Sequence, residues 1–157
     1  MPAQAVLMRY DFPVTNIDGG IHDSTTGSGY FTFDSEGEEL DIDSGEVIKQ
    51  VLDFEFNWLG QTFGVETLDF EDDGDGVLFA NGKFQGLDWT LDDANLSWDL
   101  FENEFEYTDL SGFPNVSGYG EVSYEKQISD VPEPGVVMGL GLVGLGFCLN
   151  KKKLSHL

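Results

Sequence analysis

The chain has 157 residues, 30 acidic and seven basic side chains, and a net charge of −23. That is enough for one domain, and so acidic a balance excludes a nucleic-acid interface, which needs clustered Lys and Arg against phosphate. The single cysteine, Cys148, lies in an apolar C-terminal run, so the residues before it offer no disulfide and no thiol nucleophile.

Met1 to Ala5 reads as the end of a signal peptide, because Ala3-Gln4-Ala5 fits a small-x-small cleavage site. Residues 6–130 then read as an acidic β-body. Ala5 to Phe12 is a first strand candidate. Pro13 to Gly29 is turn-rich. Tyr30-Phe31-Thr32-Phe33 is a short aromatic strand, and Asp34 to Gly45 reads as an acidic loop with a possible helical turn over Gly45 to Gln50. Val51 to Leu59 alternates most clearly: Leu52, Phe54, Phe56 and Trp58 share one parity, and Asp53, Glu55 and Asn57 the other. A period of two with large residues on one side marks a half-buried strand. Gly60-Gln61 turns the chain into Thr62 to Phe70, a strand or irregular edge.

Val77 to Ala80 meets Asn81-Gly82, the strongest local hairpin signal, since both central residues of a type I′ turn need positive φ. Lys83 to Leu91 returns, with Leu87, Trp89 and Leu91 on one parity. Leu96, Trp98 and Leu100 repeat that pattern. Glu102-Asn103 turns the chain into Phe105 to Thr108, Leu110 to Ser117 is a loop, and Gly118 to Ile128 supplies a last strand. Eight to ten short strands with turn signals between them predict an all-β fold, a two-sheet antiparallel β-sandwich or a flattened barrel. Trp58, Trp89 and Trp98 sit on apolar parities and read as core.

Chemistry-bearing patterns are sparse. Asp69 to Gly76 packs five carboxylates into a glycine-bearing loop, and calcium prefers several oxygen ligands. Glu71, Asp73 and Asp75 have the opening spacing of an EF-hand. The twelfth position is Gly82 where a bidentate Glu belongs, so an inter-strand calcium loop or a solvated acidic turn remains. No Gly-x-Ser-x-Gly elbow or His-Glu-x-x-His occurs. A histidine-based triad in the body would have to use His22, and the chain reads as a non-enzyme.

The last 27 residues differ from all of this. Pro132 and Pro134 hold Val131 to Gly135 extended, as a segment entering a protease or transpeptidase cleft must be. Gly135 to Leu149 carries no charge and as a helix would span about 22 Å at roughly 1.5 Å per residue. That is short against a hydrocarbon core of about 30 Å. Lys151, Lys152 and Lys153 can snorkel to the headgroups and hold that end cytoplasmic, with the body on the other side. If the chain is cut before Pro132, four basic and 29 acidic residues remain, a net charge of −25.

Pro132-Glu133-Pro134, a short Gly/Leu-rich apolar run and a basic cluster, in that order, resemble the PEP-CTERM sorting signal of Gram-negative bacteria. Here the basic residues are Lys where Arg is more frequent, and Leu154 to Leu157 follow them. The resemblance covers residues 131–157. It implies export, membrane retention by one short C-terminal helix over 135–149, and recognition at Pro132 to Pro134 by an exosortase-type transpeptidase, in a cell rich in exopolysaccharide. Gly27 to Asp34 and Asn57 to Phe63 are also similar to the β-rich bodies of cyanobacterial PEP-CTERM proteins. The expected function is that of an exported surface or matrix protein with a structural or adhesive role. A calcium- or carbohydrate-binding module is the second class, and a glycan-acting enzyme the third.

Overall fold

The computed structural model describes residues 6–72 and 74–128. Met1 to Ala5, Asp73, Pro132 to Pro134, the expected membrane helix over 135–149 and Lys151 to Lys153 lie outside them. Among the described residues no helix is long and apolar enough to cross a membrane.

The described residues form twelve strands: β1 (Leu7–Asp18), β2 (Gly27–Asp34), β3 (Glu39–Asp43), β4 (Glu46–Lys49), β5 (Val51–Trp58), β6 (Gln61–Gly64), β7 (Gly76–Ala80), β8 (Lys83–Asp92), β9 (Leu96–Glu102), β10 (Glu104–Asp109), β11 (Val116–Val122) and β12 (Glu125–Gln127). A 3₁₀ turn, Val65–Thr67, follows β6. The fold is all-β and antiparallel, as its alternation predicts. It is one continuous sheet, however, in the order β3-β4-β7-β8-β9-β10-β11-β1-β2-β5-β6, with β12 also on β1. β1 makes it continuous by pairing β2 on one side and β11 and β12 on the other. The arrangement is therefore nearer the flattened barrel than two separate sheets.

The sheet curls so that its apolar face closes on itself. Five strands separate β5 from β8 in the ladder, yet Phe54 lies 5.1 Å from Trp89, ring to ring. Trp58 meets Trp98 at 4.2 Å, and Tyr10 of β1 stacks on Phe84 of β8 at 4.5 Å. Trp58, Trp89 and Trp98 are all buried, as expected. Their burial leaves polar N–H groups to satisfy. Trp58 Nε1 donates to Thr25 Oγ1 at 3.0 Å, and Trp89 Nε1 to the Thr67 carbonyl at 3.1 Å.

Several local expectations are corrected. β1 runs through Pro13 to Asp18. A proline is tolerated in this inner strand because its missing N–H faces the interruption between β11 and β12, where Ser123 N–H donates to the Pro13 carbonyl. The acidic stretch 39–43 is an edge strand, and 46–49 is strand in place of a helical turn. Pairing of β4 to β7, and of β3 to β4, supplies what their own patterns lack. In β5, Leu52 is 50% exposed instead of inward. Thr32 pairs Asp53 but Phe33 pairs Val51, so Leu52 is the extra residue of a bulge and Val51 takes the inward place. The hairpin turn at Asn81-Gly82 forms as expected, with φ of 50° and 74°.

Candidate functional site

β9, β10 and β11 alternate between two surfaces. Their inward parity holds Trp98, Leu100, Phe105 and Tyr107, all buried. β11 contributes glycine to that parity: a Cβ on Gly118 would stand 2.4 Å from the Tyr107 ring. The outward parity carries Asp99 and Phe101 of β9, Glu104 and Glu106 of β10, and Tyr119 and Glu121 of β11. Phe101, Glu104 and Glu121 lie in one cross-strand row; Asp99, Glu106 and Tyr119 lie in the next. These six side chains thus share one face and line a groove of about 400 Å³, with Asn103 at the adjoining turn. Phe101 is 44% exposed and Tyr119 61%. They occupy opposite corners, about 12 Å apart between Cα atoms from the spacing of strands and residues in a sheet.

The groove is acidic without compensation. Among the described residues the ion pairs are Arg9 with Asp11 and Lys49 with Glu39, both elsewhere. Glu121 accepts from Asn16 Nδ2 at 2.8 Å, and Asp99 from the Thr90 hydroxyl at 3.3 Å. Burial raises the Asp99 carboxyl above the ordinary range, and the Glu106 charge adds to this against the Thr90 bond. Asp88 of β8 pairs Phe101 at the groove's flank. Burial, then the charges of Asp99 and Asp75, push its carboxyl up to about 6.

A second concavity, of about 320 Å³, lies at the sheet end where the loops after β1, β5, β8 and β10 gather, and includes His22, Phe63, Trp98, Asp109 and Ser111 in its wall. Tyr107 ties the first of those loops down: its hydroxyl donates to the Gly19 carbonyl at 2.7 Å and accepts from His22 N–H at 3.0 Å. The His22 ring stands edge-on to Trp58 at 5.2 Å. Ser111 N–H and hydroxyl both donate to Asp109 Oδ1, at 2.7 and 2.5 Å. Those bonds hold the Asp109 carboxyl below the usual carboxylate range, and His22 contributes. The Ser111 proton is thus committed to Asp109 and not to His22, so the three residues do not form a Ser–His–Asp relay.

In the loop expected to attract calcium, Glu71 and Asp75 are described and Asp73 is not. Asp75 is only 3% exposed. Its Oδ2 accepts from Asp69 N–H at 2.8 Å and its Oδ1 from Thr90 N–H at 3.2 Å. β7 begins one residue later, opposite Asp88, so the Asp75 side chain supplies the acceptor that the ladder does not bring to Thr90. Glu71 is exposed. Among the described residues no group of three His, Cys, Asp or Glu is placed to hold a metal ion.

The outer groove was not visible as a site in the one-dimensional pattern, although a signal existed. Glu104 and Glu106 alternate with Phe105 and Tyr107, and Phe101 and Tyr119 are aromatic residues on outward parities. Finding it requires the register across three strands. In comparison with known proteins, no family model matches the chain, and no curated protein or solved structure matches it either.

Proposed function

We propose that this chain is an exported β-module of the cell surface or matrix, sorted by its C-terminal tail and working without catalysis through the outer face of its sheet. The observation that carries the body's role is the division between its faces. The aromatic interior is filled by its own rings, whereas Phe101 and Tyr119 stand outward over a polar groove. The tail supports the delivery. Pro132 to Pro134 is the segment an exosortase-type transpeptidase would grip, 135–149 the short membrane helix, and Lys151 to Lys153 the cytoplasmic stop. Replacing Pro132-Glu133-Pro134 by alanines should hold the protein in the membrane fraction and abolish its release to the surface. Unchanged release would refute the sorting role.

The groove also favours a second reading, a carbohydrate-binding module. Exposed rings offer faces to the C–H surfaces of sugars, and the carboxylates and Asn103 between them offer partners to hydroxyls. Binding of any defined oligosaccharide that weakens on Tyr119→Ala supports this reading; a panel without binding removes it.

A further inference from the structure

We infer that the groove over β9, β10 and β11 takes a cationic glycan, an oligosaccharide of amino sugars with free protonated amines, laid between Phe101 and Tyr119. The inference rests on the carbohydrate-binding reading and adds the charge of the ligand. Asp99, Glu104, Glu106 and Glu121 all face the groove, and none has an ion pair among those described. A polyanionic glycan would meet like charge, in a body that is strongly negative throughout.

The same surface shows what fills such a place. On β1 and β2, Arg9 lies over the Tyr30 ring at 4.0 Å and donates from Nε to Asp11 at 3.1 Å. A tyrosine face and a carboxylate there flank a half-exposed cation, the expected pairing of a ring quadrupole and a Coulomb partner. Tyr119 with Glu106 and Glu121 repeats these parts with no cation beside them among the described residues. An extended basic peptide fits less well. β9, β10 and β11 are each paired on both sides, so the face offers a peptide backbone no hydrogen-bond partners. Sugar hydroxyls and amines need only side-chain acceptors, which ionised carboxylates provide.

Calorimetry of the full chain tests this at low salt with four probes: a glucosamine oligomer with free amines, its N-acetylated counterpart, a neutral glucose oligomer and oligolysine. The free-amine oligomer should bind about tenfold or more tighter than the N-acetylated one. Glu104→Gln with Glu106→Gln should erase that preference, and Tyr119→Ala should weaken every glycan that binds. Glu39→Gln with Asp41→Asn, the same charge change on edge strand β3, should alter nothing. Equal binding of all three glycans overturns the amine inference and leaves the carbohydrate reading standing. No glycan binding overturns both. Oligolysine binding as tightly as the glucosamine oligomer, or equal losses in the β3 control, would show unspecific charge attraction and also overturn it.

Discussion

The two faces of β8 to β11 are made by residues one position apart and have opposite physics. Inward, Trp98 touches Trp58, Phe63 and Phe105, with ring centroids 4.2, 4.9 and 5.8 Å away. Outward, one residue on, Asp99 faces Glu106 across the strand. The inner face gains from every added ring, because burial and edge-to-face packing act together. The outer face gathers carboxylates that repel one another. Stability therefore resides on one side of the sheet, and the acidic groove for which binding is proposed lies on the other.

The largest test of this contrast is Trp98→Ala, which should cost about 3–5 kcal/mol by denaturant unfolding. Tyr119→Ala, on the outer face, should stay within about 0.5 kcal/mol. Asp75→Ala should cost about 1–3 kcal/mol, because it strands two backbone N–H groups. An unchanged melt would make Asp75 an ordinary solvated acid.

Asp88→Asn should act in the other direction. Its carboxyl titrates near 6 when folded, above the ordinary value. The native state binds this proton more tightly than the unfolded chain, so its contribution is fully present below the unfolded pKa. That contribution is lost as pH rises from about 4 through 6. At pH 7.5 the variant should gain about 1 kcal/mol, after discounting for solvent screening of a partly buried group. The gap should close at pH 4; a constant gap would mean that charge is not the cause. The smallest effect belongs to Leu52→Thr, at the exposed bulge of β5, which should shift stability by less than about 0.5 kcal/mol. Phe54→Ala, two residues on but inward, should cost several kcal/mol. A large loss at Leu52 would place it in the core and refute the bulge.

Much of the inner face was legible in the sequence. Phe54, Phe56 and Trp58 alternate with polar residues, and Asn81-Gly82 announces its turn, because both signals are local. The strand at 39–43 was hidden because its residues are chiefly acidic and only pairing with β4 holds them extended. Alternation alone places Leu52 inward, because a bulge is set by two strands together and leaves no mark in one. The role of Asp75 was hidden among four other acids of its loop. What separates it is that Thr90, fifteen residues away, pairs Asp99 on one side but turns its N–H to the other, where the β7 ladder does not reach.

The amino-acid sequence by itself determined that this is a strand-built acidic body, which residues form its aromatic interior, and that its tail resembles a sorting signal. Periodicity, turn chemistry and composition are properties of neighbouring residues and need no fold to be read. Only the tertiary structure decided that the strands join in one curled sheet, and that Asp99, Phe101, Glu104, Glu106, Tyr119 and Glu121 share one groove. Register between strands is a long-range quantity, settled by which pairings let most of the large rings turn inward at once, and the groove, with Phe101 and Tyr119, is what that choice leaves on the outside.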